Sequence, residues 1–418
     1  MSGALVTANA STASTQSDQK PTTRLGLLRN RPLMTLMLGH YTVDMYSGII
    51  PFLYPLLTDK FNLSLGTVGF VSLAYSGASS LSQPIFGMVA DRKGIRYIGL
   101  ALMWTGFMFS IIGFASSFPL LLLFAALAGL GSGAYHPMGA LGANAVIDPN
   151  QRNVAMSVYV TGGTLGVACG PLIGATLFHF FGLQGTAAMI IPGLSISIWM
   201  LLEMRQIAGQ VVVHRRSIDT KLPPVPLRPM AIIIGLMMMR SWTMSSLQAY
   251  IPTWYEEMGY GAGFYSLLTT TLLLSSVVGT IGSGSLADKH GRKIMMIISS
   301  AATVPAVFLF AEFPGWFGFV SAAMIGLLAA STGPLLIVMA QQLMQGRAGV
   351  ASGLILGLGF VMGAIGVPIV GAIADRIGLQ GAFRVQAVIA SGAIVLALLL
   401  PSEQRMAETT APPGQDPA

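Results

Sequence analysis

The sequence predicts an all-α membrane protein with twelve transmembrane helices in two pseudo-symmetric six-helix bundles. Three observations carry that expectation. Composition is the first: 53% of the 418 residues are hydrophobic and only 9% are charged, where a soluble domain carries about 25% charged residues, and mean hydropathy is +0.71. The second is a series of twelve apolar segments, near 33–57, 65–88, 96–115, 119–146, 153–180, 186–206, 229–255, 263–287, 294–312, 315–344, 350–373 and 381–401, each close to the length that crosses a bilayer. The third is an internal repeat at a constant offset of 197. Arg31-Pro32 maps onto Arg228-Pro229, Pro55 onto Pro252, Gly87 and Asp91 onto Gly284 and Asp288, and Pro137 onto Pro334. Gly162, Gly166, Pro171 and Gly174 map onto Gly359, Gly363, Pro368 and Gly371. One offset held through five helices implies two similar bundles related by an axis along the membrane normal, since six helices preserve orientation. A binding site is expected between them, near mid-membrane.

Taken in order, residues 1–30 are rich in Ser, Thr, Ala and Gln, lack the apolar stretch of a signal peptide, and read as a disordered cytoplasmic tail. Residues 31–206 form the first bundle. Residues 207–228, with His214-Arg215-Arg216 and Pro223-Pro224-Val225-Pro226, form a cytoplasmic linker, residues 229–401 the second bundle, and residues 402–418 another disordered tail. If both tails are cytoplasmic, eighteen Lys and Arg lie on that side and three (Lys60, Arg376 and Arg384) on the other. That asymmetry sets the orientation and accounts for the net charge of +7 without a nucleic-acid partner. Fifty glycines and 23 prolines suit closely packed, locally broken helices. The single cysteine, Cys169, excludes an internal disulfide and a CxxC site, and it reads as a small packing residue.

The first segment contains Gly39-His40-Tyr41-Thr42-Val43-Asp44. At 1.5 Å per residue Asp44 sits roughly 16 Å deep, and His40, four residues earlier, shares its helix face. A charged Asp at that depth costs at least ~2.5–3.5 kcal/mol, so the pair reads either as a proton-coupling site facing water or as a buried structural tie. Arg240 lies at matching depth in the seventh segment, opposite Val43 in the repeat. A guanidinium keeps its proton and needs a counter-charge when buried. Arg240 is therefore expected to pair with Asp44 across the seam, to bind an anionic substrate, or to exchange one for the other. His136, before Pro137 in the fourth segment, joins His40 and Asp44 as a proton-coupling candidate. The repeat partners of His40 and His136 are Met237 and Gly333, so these groups break the symmetry. Tyr75, Gln83, Tyr135, Tyr159, Trp242 and Gln341 are further candidates to line a substrate pocket with Arg240. No metal site is expected: Met237-Met238-Met239 do not share a helix face.

The loops after the second and eighth segments read Gly87-Met88-Val89-Ala90-Asp91-Arg92-Lys93-Gly94 and Gly284-Ser285-Leu286-Ala287-Asp288-Lys289-His290-Gly291. This doubled signature resembles that of the major facilitator superfamily. The resemblance implies the major facilitator fold and a cytoplasmic gating latch at Gly87, Asp91, Arg92, Gly284, Asp288 and Arg292. In the fifth segment, Gly162-Gly163-Thr164-Leu165-Gly166 through Gly170-Pro171 and Gly174 is similar to the signature of proton-driven antiporters in that superfamily, and it also reads as a stripe for close helix packing. Gly39-His40-Tyr41 with Asp44, Gln83-Pro84, Gly131 to Pro137, Arg240-Ser241-Trp242, Ala340-Gln341-Gln342 and Gly346 to Leu354 together resemble the fosmidomycin-resistance type of drug exporter. Gln342 departs from the acidic residue expected after Ala-Gln.

The resemblance implies a secondary active transporter of the bacterial inner membrane, multi-pass with both termini cytoplasmic. It would export a small anionic or amphiphilic drug or metabolite against protons by alternating access, as in antibiotic resistance. A proton-coupled importer of an organic anion is the alternative, because such a cycle is reversible. An enzyme is not expected: HExxH and paired haem histidines are absent, as is a GxxxxGK[ST] loop for ATP drive. The expected partners are a small-molecule substrate, protons and the lipid bilayer, with no cofactor and a monomeric state.

Overall fold

The computed structural model describes residues 29–146, 152–205, 225–344 and 348–402. The tails and most of the 207–228 linker, as well as Gly346 and Arg347, lie outside the described residues.

The first segment begins where Asn30 accepts the Leu33 N–H at 3.1 Å and a proline occupies the first turn, a cap that satisfies an otherwise orphaned amide. It runs as helix Arg31–Ile49, tightens to a 3-10 turn at Ile50–Leu53, and continues as Tyr54–Phe61. The second segment starts at Leu65, capped by Ser64, and ends at Lys93. The third spans Ile98–Phe114, the fourth Phe118–Ala145 and the fifth Arg152–Phe181. The sixth is a 3-10 stretch, Gly182–Met189, followed by Ile190–Glu203. In the second half the seventh to tenth segments are Leu227–Glu257, Ala262–His290, Arg292–Glu312 and Phe317–Leu343. The eleventh and twelfth share Ala348–Leu399, broken only at Gly378, where φ is 75°.

The repeat is visible in backbone geometry as well as in sequence. Gly94 and Gly291, 197 apart, end the second and eighth segments with φ of 66° and 86°, a region open to glycine at little cost. Pro137 and Pro334 lie inside the fourth and tenth helices, and Pro171 and Pro368 inside the fifth and eleventh.

The small-residue stripe holds segment pairs together. A side-chain carbon at Gly166 would meet the backbone of Tyr41, and one at Gly170 would meet Gly48. Gly359 and Gly363, the repeat mates of Gly162 and Gly166, press on Met237, Ser241 and Ser245. The stripe therefore packs the fifth segment on the first and the eleventh on the seventh, each within its own bundle. Gly166→Ala, forced against backbone that cannot rotate away, is expected to cost about 1–3 kcal/mol. Thermal unfolding in detergent reads this as a lowered Tm.

The two bundles touch at the end remote from the chain termini. There the Tyr250 hydroxyl of the seventh segment lies 2.8 Å from the Leu65 carbonyl and 3.0 Å from that of Val367. Tyr250 also meets Tyr54 edge-on at 5.7 Å, and Thr270 donates to Ala168 O at 3.1 Å. Gly66 and Gly69 sit against the backbone of Ala372 and Pro368. Among the described residues no atom of a neighbouring element lies within 4 Å of the side-chain position at Gly284, Gly353 or Gly357. Along the second segment, Val71 to Ser80 holds no exposed residue, whereas Leu81, Ile85 and Met88 are exposed. The passage between the bundles is closed at the end remote from the termini.

Candidate functional site

The first bundle brings His40, Asp44 and His136 together. His40 and Asp44 meet through the one-turn spacing of their helix, with Nε2 to Oδ2 at 3.2 Å. His136 arrives from the fourth segment and sets its Nε2 3.4 Å from the other carboxylate oxygen, Oδ1. The ligand atoms of all three lie within 4.8 Å of one another. Two neighbours orient the rings. His40 Nδ1 is 2.9 Å from the Tyr159 carbonyl, and the His40 ring stacks on that of Tyr159 at 4.2 Å. Ser132 Oγ lies 3.3 Å from His136 Nε2 and accepts from Ser79 at 3.2 Å.

Proton counting follows from these contacts. A backbone carbonyl only accepts, so His40 Nδ1 must carry the proton directed at Tyr159. In the neutral ring Nε2 is then a lone pair, and an ionised Asp44 facing it offers a second lone pair. The 3.2 Å approach therefore calls for one further proton, held on the imidazole or on the carboxyl. The side chains of His40, Asp44 and His136 are 10, 19 and 25% exposed, which leaves the cluster a route to solvent.

Gly163 in the fifth segment makes room for it. A side-chain carbon there would strike Asp44 Oδ2 and His40 Nε2. Gly163→Ala is expected to push the pair apart and reduce transport at least tenfold with little loss of folded protein. Fluorescence size-exclusion of the same sample checks the second half of that statement.

The other candidates separate by location. Tyr75 and Tyr135 are buried inside the first bundle, and their hydroxyls donate to the carbonyls of Val43 at 3.4 Å and Leu36 at 2.8 Å. These two correct the expectation of cargo contact: their polar ends are already committed to holding the first segment. Tyr159 is buried, with a hydroxyl that has no partner among the described residues. Trp242 lies against Gly366, its indole N–H likewise unpartnered. Gln83 and Gln341 are half-buried.

Arg240 does not meet Asp44. Its Nε donates to Ala329 O at 2.8 Å, and Nη1 lies 4.0 Å from Met237 Sδ. Asp44 is instead occupied by the two histidines. The sequence sets both charges at matching positions in their segments, but the azimuth of the seventh helix turns Arg240 into its own bundle, toward the tenth segment. The room for it comes from Gly333, the repeat mate of His136: a side-chain carbon there would approach the guanidinium carbon at 3.3 Å.

At the latch, Arg92 and Asp288 are exposed, the Asp91 side chain lies outside the described residues, and Arg292 donates to Gln342 Oε1 at 2.6 Å. Gln342, the position that departs from the expected acid, thus supplies an acceptor within the second half.

A residue that sequence reasoning passed over closes the opposite end. Asp375, at the end of the eleventh segment, accepts from the backbone N–H of Leu65 at 2.7 Å and of Gly66 at 2.9 Å. Those amides open the second segment, so one half caps a helix of the other and sets its charge against the positive helix end. The available signal was an acid followed by Arg376 at the edge of an apolar run, without a repeat mate.

Comparison with known proteins accords with this architecture. The sequence pattern of the Major Facilitator Superfamily matches residues 36–267 and 231–417. The chain belongs to that superfamily. It is 28% identical over 366 residues to the fosmidomycin resistance protein of Escherichia coli K12, covering 84% of this chain and 88% of the relative. It is 29% identical over 387 residues to an uncharacterized MFS-type transporter, YfnC, of Bacillus subtilis, covering 90% and 94%. Among solved structures, a bacterial homolog of the human lysosomal transporter Spinster, inward-facing and occupied, superposes with a TM-score of 0.74 at 15% identity, covering 91% and 98% of the two chains. The chain is a multi-pass membrane transporter with the twelve-helix major facilitator fold, and it resembles the fosmidomycin-resistance type.

Proposed function

We propose that this chain is a proton-coupled antiporter that exports a small anionic or amphiphilic compound by alternating access. The observation that carries the reading is the Asp44–His40–His136 cluster, whose hydrogen-bond geometry calls for one shared proton in a partly solvated place. Both termini are cytoplasmic in this reading, following the basic residues, and the closed end of the passage faces away from the cytoplasm. Cargo enters from the cytoplasmic side and displaces the proton held between His40 and Asp44. Reprotonation from the outside returns the carrier.

Tyr159, Trp242, Gln83 and Gln341 are the proposed cargo contacts, and the latch at Gly87, Asp91, Arg92, Gly284, Asp288 and Arg292 is proposed to close the cytoplasmic end in the alternate state. Fosmidomycin, which gives the Escherichia coli relative its name, is the first cargo to try. In everted vesicles energised to an acidic interior, wild type is expected to accumulate it and to collapse part of the proton gradient in doing so. Accumulation that follows the opposite gradient would favour the importing alternative.

A further inference from the structure

A small cavity lies away from the seam. It sits inside the second bundle, between the seventh, ninth, tenth and twelfth segments, and Arg240, Thr243, Ser300, Thr303 and Thr332 contribute its polar lining among apolar side chains. Arg240 is a permanent cation there. Among the described residues no carboxylate lies within 4.0 Å of it, and its only oxygen acceptor is the Ala329 carbonyl. Its Nη donors have nothing better than a thioether at 4.0 Å. Arg240 is half-buried, and a guanidinium drawn partly out of water without a counter-charge is destabilised, a cost that an anion beside it would offset.

The surroundings restrict what that can be. Thr243, Thr303 and Thr332 spend their hydroxyl protons on the carbonyls of Met239, Ser299 and Ala329. The donors left to face the space are the guanidinium and the Ser300 hydroxyl. The cavity measures about 30 Å³, room for one or two water-sized species, whereas drug-sized ligands occupy about 300–1,000 Å³. A positively charged space of that size, with donors on the guanidinium and Ser300, is too small for a drug-sized cargo and suits a monatomic anion.

We propose that this cavity is a resident inorganic-anion site, of chloride size, in which the anion neutralises Arg240 and is held by its Nη donors with Ser300. The site goes beyond the transport reading and does not depend on it: the anion stays in the second bundle while proton and cargo exchange at the seam. The sequence expectation that Arg240 touches the cargo is replaced by this role.

The test uses the full-length protein in detergent or nanodiscs. At constant ionic strength, replacing sodium gluconate by sodium chloride is expected to raise Tm saturably, and radiolabelled chloride to bind at about one per chain. Ser300→Ala is expected to shift the chloride midpoint several-fold upward. Arg240→Met, which removes the charge and fills the space, is expected to lose chloride binding and to unfold at the same temperature in both salts. Identical behaviour of wild type in chloride and gluconate, with no bound label, overturns the proposal and leaves only water around Arg240. So does competitive displacement of the label by fosmidomycin, which would make Arg240 a cargo residue. Failure of proton coupling at Asp44 leaves chloride binding untouched, so the two readings fail separately.

Discussion

Asp44→Asn is expected to reduce proton-driven accumulation of cargo to the background of empty vesicles, while cargo binding to the purified protein stays within a few-fold of wild type. The asparagine amide preserves size and depth and still offers an N–H toward His40 Nε2, so the helix contacts around it are retained. What it cannot do is exchange a proton. The contact between His40 and position 44 is then closed by an amide N–H at every pH, and the gradient loses its hold on the conformational equilibrium. A ligand shifts such an equilibrium only by its differential affinity for the two states, and for the proton that difference becomes zero. His136→Gln keeps one donor toward Oδ1 and is expected to slow transport without uncoupling it. The comparison of initial rates over a pH series separates the two variants: Asp44→Asn flat, His136→Gln displaced but still pH-dependent.

The second large effect is expected at the closed end. Tyr250→Phe combined with Asp375→Asn removes the hydroxyl shared between Leu65 and Val367 and the carboxylate that caps Leu65 and Gly66. Charge-assisted bonds contribute about 1.5–3 kcal/mol and neutral ones about 0.5–1.5. Asp375 is exposed, which puts it at the low end of its range. A joint loss of about 2–3 kcal/mol changes the ratio of the two conformations roughly 30–150-fold. Spin labels at the outer ends of the second and eleventh segments should report longer distances in the double variant, with shorter ones at the Asp91 and Asp288 loops as the latch closes. Unchanged distance distributions would show that the seal rests on apolar packing alone.

How much of this was legible in the sequence follows from the kind of information each feature carries. The twelve segments and the two bundles were readable because apolar length and a constant offset of 197 are one-dimensional properties. His40 and Asp44 were readable as a pair because four residues is one helical turn. His136 was readable as a group of the right depth, though not as the partner of Oδ1, since that depends on how the fourth helix is rotated. The same missing angle explains Arg240: its place along the seventh helix was readable, and its direction, set by Gly333 on the tenth segment, was invisible. Tyr75 and Tyr135 looked like cargo contacts because a tyrosine near mid-membrane has a hydroxyl to satisfy. Only the structure reveals that the carbonyls of Val43 and Leu36 already satisfy it. Asp375 acts on amides 310 and 309 residues away in the chain, and nothing local announces such a partner.

The central claim is that cargo and proton compete at the Asp44–His40 pair. Its most direct test is the number of protons released into weakly buffered solution when cargo is added to purified protein. Wild type is expected to release close to one proton per cargo bound, and Asp44→Asn none at equal cargo occupancy. Cargo binding without proton release by wild type, or equal release by both proteins, would contradict it.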